Sequence, residues 1–176
     1  MYLTLEGGFM IQAELVKSLE AFRHMNDQQI VSIQKHCELR EYQKEEKLFS
    51  EGDDATHLWI VTQGVVDLRF EMPDGRPTSN KHTISNVDVE HRNPEAKVLG
   101  WSCFVPPYQM RLSAYCVTET ATIIRIEKSR LIGIFEQDPD IGYKFLSYLI
   151  TVVGYRFHQF QDQVAKNMGE DLMSGW

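Results

Sequence analysis

Two turn signals bracket a short apolar run in the stretch Glu51-Gly-Asp-Asp-Ala-Thr-His-Leu-Trp-Ile-Val-Thr-Gln-Gly64. Glycine and aspartate favour turns, because they accept backbone conformations that most residues avoid. Between the turns, the β-branched and aromatic residues from His57 to Thr62 are typical of a strand. The stretch therefore predicts one short strand with a chain reversal at each end.

Short runs of the same kind continue on both sides of this stretch, again separated by turn residues. The predicted strands are 38–43, 47–50, 57–62, 65–72, 83–89, 112–118 and 121–126. Strands this short and this evenly spaced favour an antiparallel β-roll, of the double-stranded β-helix or jelly-roll type, over residues 38–126.

Helical periodicity frames the predicted roll at both ends. Apolar residues recur every three or four positions from Ile11 to Cys37, with a break at Asn26, a residue suited to capping a second helix. We predict N-terminal helices over 10–37 and C-terminal helices over 127–168, the last of them long. The predicted fold class is α+β: one domain of residues 1–176, with a roll flanked by N-terminal helices and a long C-terminal helix.

The long helix carries more apolar surface than contact with one small roll requires. Its apolar stripe at helical spacing includes Leu146, Leu149, Val153, Phe157 and Phe160. We expect this stripe to form the interface of a homodimer. The alternative is that the helix packs entirely on its own roll.

Composition limits the classes of partner. The 176 residues carry a net charge of −7, and the positive field that broad nucleic-acid or acidic-membrane binding requires is not expected. The sequence shows no signal peptide and no long apolar span, so a cytoplasmic location is expected. The three cysteines are widely spaced, which fits reduced thiols better than disulfides or a zinc cluster.

A second stretch, residues 98–114, combines features of an anion-binding site. Gly100 allows close approach of the backbone, the short turn after it can present amide N–H groups, and Arg111 supplies a planar cation. Arginines beside strands also form structural ion pairs, so both roles stay open for Arg111. The predicted ligand-binding residues are Gly100, Trp101, Ser102, Cys103, Arg111, Leu112 and Ser113.

In order and spacing, these features resemble the cyclic nucleotide-binding domain family, whose members include catabolite activator protein-like sensor domains. The resemblance rests on the glycine-bracketed hairpin 51–64, on residues 111–126, and on Asp138-Pro-Asp-Ile141 before the long helix. It covers nearly the whole chain. The fold that it implies is the same β-roll with flanking helices.

The resemblance implies a ligand site only position by position. In the family, a glycine opens the phosphate-binding cassette, the following glutamate binds the ribose hydroxyl, and a later arginine binds the cyclic phosphate. Gly100 and Arg111 match, but Trp101 stands at the glutamate position, and an indole cannot accept a hydrogen bond. Leu112 follows the arginine where a hydroxyl is common, with Ser113 one position later. We expect Trp101 to fill its own pocket and normal affinity for cyclic AMP or cyclic GMP to be absent.

The implied function is a stand-alone sensor or regulatory module that is not an enzyme and needs no cofactor or metal. It would bind a small anionic or nucleotide-like ligand and signal through a homodimer or a separate effector protein. No DNA-binding domain is expected, because few residues follow the long helix. A ligand-free scaffold is the alternative. A cupin-like metalloenzyme is less favoured, because no two histidines are one residue apart. Cys103 as a redox-sensing thiol is a further hypothesis.

Overall fold

The structure is a computed structural model that describes the backbone of residues 4–5, 8–9, 11–71, 83–88 and 97–174, and the side chains of 11–71, 97–162 and 164–166. The helices are α1 (Ala13–Ser18), α2 (Asp27–Gln34), α3 (Lys128–Gln137) and α4 (Pro139–Ser174), with 3-10 turns at Glu20–Phe22 and Trp101–Phe104. The strands are β1 (Thr4–Leu5), β2 (Gly8–Phe9), β3 (Cys37–Gln43), β4 (Lys47–Phe49), β5 (His57–Gln63), β6 (Val65–Arg69), β7 (Thr83–Asp88), β8 (Val98–Leu99), β9 (Ser113–Cys116) and β10 (Thr120–Glu127).

Two antiparallel four-stranded sheets form the roll, in the orders β3-β10-β5-β8 and β4-β9-β6-β7, and β1 pairs separately with β2. The predicted fold class is therefore confirmed: an antiparallel roll with helices and a long C-terminal helix. Strands β1, β2 and β8 were not predicted, because two residues are too few to show a period. The predicted strand 112–118 is shorter, Ser113–Cys116, and the predicted strand 65–72 ends at Arg69. Residues 72 and 89, at the ends of the predicted strands 65–72 and 83–89, lie outside the described residues.

Strand β5 separates two hydrophobic cores. Leu58 and Ile60 belong to a cluster shared with the helices, whereas Trp59 and Val61 belong to a cluster between the two sheets. Successive side chains of a strand point to opposite faces, so burial of both faces explains the continuous apolar run in this strand. The apolar run 57–62 is therefore a strand that lies between the two cores and is buried on both faces.

Helix α2 is held by a capping box at its start and by hydrogen bonds to the start of α4. Asn26 caps α2 as predicted: its Oδ1 accepts from the Gln29 N–H at 3.0 Å, and Gln29 Oε1 accepts from the Asn26 N–H at 3.1 Å. The Gln29 side-chain amide also donates to Asp138 and Asp140 at 3.0 and 2.9 Å, which ties α2 to the start of α4. These bonds set the position from which α4 runs along the roll.

One residue of the predicted dimer interface is buried in the core of its own chain. Leu149 is 5% exposed and belongs to the core shared with the sheet, on the same face of α4 as Phe145 and Val152. Spacings of four and three residues bring these side chains onto one side of a helix. The next residue, Ile150, lies on another side of the helix and is 72% exposed.

Candidate functional site

A cavity of about 350 Å³ lies where the roll, the turn after β8 and α4 meet. Its volume is within the range of about 300–1,000 Å³ that is common for small-molecule sites. The roll and the turn contribute Phe49, Leu68, Phe70, Val98, Leu99, Gly100, Trp101, Ser102, Met110, Arg111 and Leu112. Helix α4 contributes Val153, Arg156, Phe157, Gln159 and Phe160.

Gly100 shapes the side of the cavity next to β5. Its φ of 72° is in the left-handed region, which favours glycine. A Cβ atom there would lie 2.6 Å from the His57 carbonyl oxygen and 2.7 Å from Trp59 Cδ1, both too close for atoms that are not bonded. The position requires glycine, and this allows the turn Trp101–Phe104 to begin directly against β5.

The structure brings five of the seven predicted ligand-binding residues together around the cavity: Gly100, Trp101, Ser102, Arg111 and Leu112. Trp101 is half-buried and also packs against the helical core. A substantial volume remains beside it. Trp101 therefore forms a wall of the cavity and does not fill all of it.

Cys103 is not among the lining residues and has no exposed surface, because it packs in the core between the sheets. Its amide N–H donates to the Gly100 carbonyl at 3.0 Å, so this amide is occupied within the turn. Burial raises the pKa of the Cys103 thiol to about 12. A thiol in this environment is protonated at neutral pH, and the redox-sensing hypothesis gains no support.

Ser113 also lies outside the cavity lining, in a polar network on β9. Its hydroxyl donates to the Glu71 carboxylate and accepts from the Glu51 N–H at 2.8 Å. The Tyr115 hydroxyl and Lys47 Nζ also lie 2.8 Å from Glu71 Oε1. Burial opposes ionisation of Glu71, but the bonds from Lys47, Ser113 and Tyr115 outweigh it and lower its pKa to about 2. The Ser113 hydroxyl is thus engaged in structure.

Arg111 lines the cavity and is exposed to solvent. Among the residues that the structure describes, none forms an ion pair with it. This placement agrees with the ligand-facing role that the sequence left open. It gives no support to a structural ion pair.

Helix α4 adds two polar side chains that the sequence analysis did not identify as ligand-facing. Arg156 Nη1 donates to Gln159 Oε1 at 3.0 Å, and Gln159 Nε2 donates to the Tyr155 hydroxyl at 2.9 Å. Burial lowers the pKa of Arg156 to about 10, which leaves the guanidinium charged at neutral pH. A signal existed in the sequence, because Arg156 is three residues after Val153 and therefore on a neighbouring part of the helix surface.

The charges around the cavity have one sign. Among its described lining residues there are two arginines and neither Asp nor Glu, while the rest of the wall is predominantly apolar. Such a cavity favours an anion and disfavours a cation.

In the described part of the chain, no group of three or more His, Cys, Asp or Glu residues is placed to hold a metal ion. No helix in the described ranges, α4 included, is both long and apolar enough to cross a membrane.

No family model matches the sequence, and no curated protein matches it. Solved structures do. A Geobacter metallireducens protein named as a cyclic nucleotide-binding protein has a TM-score of 0.68 at 21% identity, covering 85% of this chain and 100% of its own. A cyclic nucleotide-binding domain from Methylobacillus flagellatus has a TM-score of 0.68 at 17% identity, over 88% of this chain and 81% of its own.

A third similar structure is the regulatory domain of Toxoplasma gondii PKA, which was crystallised with cAMP. It has a TM-score of 0.57 at 10% identity and covers 77% of this chain and 48% of its own. These likenesses confirm the resemblance found in the sequence at the level of the fold. The chain has the fold of the cyclic nucleotide-binding domain family.

Proposed function

We propose that the chain is a regulatory module whose cavity binds a small anionic ligand in place of a cyclic nucleotide, and that it acts as a homodimer. The observation that carries this proposal is the cavity itself, bounded by Gly100, by Arg111 and by α4, with only positive charges in its described lining. A guanidinium binds carboxylate or phosphate groups through two parallel hydrogen bonds. The proposal is of a binding function and requires no catalytic residue.

Cyclic nucleotides are poor candidates for the ligand because the ribose would lack its acceptor. Trp101 stands where the related family has a glutamate, and no carboxylate is among the described residues of the wall. Loss of a charge-assisted hydrogen bond costs roughly 1.5–3 kcal/mol, which weakens binding about ten- to hundredfold. The bulk of the indole adds to this cost.

The homodimer is supported by an exposed stripe along α4. The stripe alternates steps of three and four residues, the spacing of two-stranded helical interfaces. Its members are Tyr143, Leu146, Ile150, Val153, Phe157, Phe160 and Val164. All except Val153, which is half-buried, are between 39% and 75% exposed, and monomeric proteins rarely present such a continuous apolar surface to water.

The cavity and the stripe share residues. Val153, Phe157 and Phe160 line the cavity and also lie on the exposed stripe. A ligand that shifts these side chains would therefore alter the proposed interface directly. This gives the module a physical route from ligand binding to a change in assembly, and from there to an effector protein.

The test is the thermal stability of the full chain in inorganic phosphate. We expect phosphate to raise the melting temperature in a saturable way, by about 2–4 °C for each kcal/mol of binding energy. Arg111→Ala should abolish this rise and leave the melting temperature in anion-free buffer unchanged. Arg40→Ala is the control, because Arg40 is an exposed arginine on β3 outside the cavity.

The opposite result would favour a ligand-free scaffold. In that case Arg111→Ala lowers stability in anion-free buffer, as loss of a structural partner would, and phosphate protects neither protein.

A further inference from the structure

The lining of the cavity limits the chemistry of its ligand more closely than a positive charge alone. A nucleotide presents hydroxyl groups and base nitrogens that must each find a partner when they leave water. Beyond the two arginines, the polar side chains in the described wall are those of Ser102 and Gln159. Most of the remaining wall is apolar. The body of a well-matched ligand should therefore be apolar too.

Aromatic rings are prominent in this wall. They are contributed by Phe49, Phe70, Trp101, Phe157 and Phe160. Aromatic pairs in offset or edge-to-face contact contribute beyond the burial of their area. A flat aromatic body would make such contacts at several points. The volume of about 350 Å³ suits one or two fused rings better than a larger group.

Arg156 indicates the charge that the ligand carries. It reaches the cavity from α4 in a largely desolvated position, and burial lowers its pKa only to about 10. A doubly charged phosphate monoester costs more to transfer from water into a predominantly apolar cavity than a singly charged group does. A carboxylate carries a single charge and fits the planar guanidinium with two hydrogen bonds.

We propose that the cavity binds a small aromatic carboxylate, with the ring among the aromatic side chains and the carboxylate on Arg156. This inference rests on the proposed function, because it names the class of ligand for the same cavity. It goes beyond that function in two respects. The ligand has an apolar body, and the anchoring cation is on α4.

Calorimetry on the full chain tests the proposal with indole-3-acetate and 3-phenylpropionate, each compared with its primary amide, and with octanoate as an aliphatic acid. We expect saturable binding of the two aromatic acids, at least tenfold weaker binding of the amides, and weaker binding of octanoate. Equal affinity of acid and amide would overturn the carboxylate assignment. Stronger binding of octanoate, or no binding of either aromatic acid at 1 mM, would overturn the aromatic assignment.

Variants of α4 and α3 test the anchor. Arg156→Met keeps the length of the side chain without its charge and should weaken binding of indole-3-acetate roughly ten- to hundredfold. Arg130→Met is the control, because Arg130 is 63% exposed on α3 and outside the cavity. Arg156→Lys keeps a charge but not the planar pair of donors, so it should lose part of the affinity. This variant provides the test if Arg156→Met does not fold. Unchanged affinity in both Arg156 variants would contradict the role of Arg156.

The outcome separates this inference from the proposed function. Stabilisation by phosphate that depends on Arg111, without preferential binding of the aromatic acids, would remove the ligand class and leave an anion-binding module. Loss of both the phosphate effect and acid binding would remove the module itself.

Discussion

At the scale of single residues, Trp101 has the largest consequence for the proposed ligand. An indole ring donates one hydrogen bond and accepts none, so it cannot read a ribose hydroxyl. In this chain it forms part of an apolar wall next to Gly100, whose backbone conformation is set by the close approach of β5. The conformation of the turn is therefore set at Gly100, and in our proposal the adjacent Trp101 excludes cyclic nucleotides.

We expect calorimetry to show no saturable binding of cyclic AMP or cyclic GMP to the native chain at about 100 micromolar nucleotide. The reason is the missing hydrogen bond to the ribose, which costs roughly 1.5–3 kcal/mol of binding free energy. Trp101→Glu should improve cyclic AMP binding about ten- to hundredfold, because it supplies the missing acceptor. Trp101→Ala is the control, since it removes the indole without adding an acceptor. Tight binding by the native chain would show that Trp101 does not exclude nucleotides.

At the scale of elements, α4 combines two surfaces with different partners. Phe145, Leu149 and Val152 are buried against the roll, whereas Leu146 and Ile150 are exposed on another side of the same helix. A helix of 36 residues is about 54 Å long, more than a small roll covers. The excess apolar surface is therefore available to a second copy.

Ile150→Glu should convert the proposed dimer to a monomer, because it places an unpaired charge in each half of a buried interface at a cost of about 3 kcal/mol or more. Val153→Glu should have the same effect, but Val153 also lines the cavity, so Ile150 gives the cleaner test. Thr151→Glu is the matched control at an exposed position outside the stripe. Sedimentation velocity at micromolar concentration measures the change. A native chain that is already monomeric there would contradict the dimer.

At the scale of the whole molecule, a polar network ties together segments far apart in sequence. Glu71 accepts bonds from Lys47 on β4 and from Ser113 and Tyr115 on β9, while the Glu71 N–H donates to Glu51 Oε2 at 2.8 Å. The network holds the chain after β6 against a neighbouring strand pair. Its strength depends on an ionised carboxylate, so it makes the stability of the fold sensitive to pH.

The folded-state pKa of Glu71 is about 2, below its ordinary value of 4.5. Its contribution is therefore complete above pH 4.5 and is lost as the pH falls toward 2. Glu71→Gln should lower the free energy of unfolding at pH 7 by about 1–3 kcal/mol, and the difference from the native chain should shrink as the pH falls. Urea unfolding across this pH range measures it. Glu136→Gln, at an exposed position of α3, should show no such trend.

The sequence by itself determined the fold class and most of its elements. Local sequence is enough to predict the turns around β5, the cap at Asn26 and the helix Lys128–Gln137. Each of these depends on interactions between residues that are close together in the sequence. Five of the seven residues predicted to bind a ligand line the cavity, and their proximity could be expected because they lie on one short stretch of chain.

Only the tertiary structure decided which of these residues face the cavity and what completes it. Ser113 faces Glu71, Cys103 packs between the sheets, and Arg156 closes the cavity from α4, although it is 45 residues beyond Arg111 in the sequence. Which side of α4 faces the roll likewise separates Leu149 from Ile150. Periodicity shows that a helix has apolar sides, but the packing of distant elements determines which of them is buried.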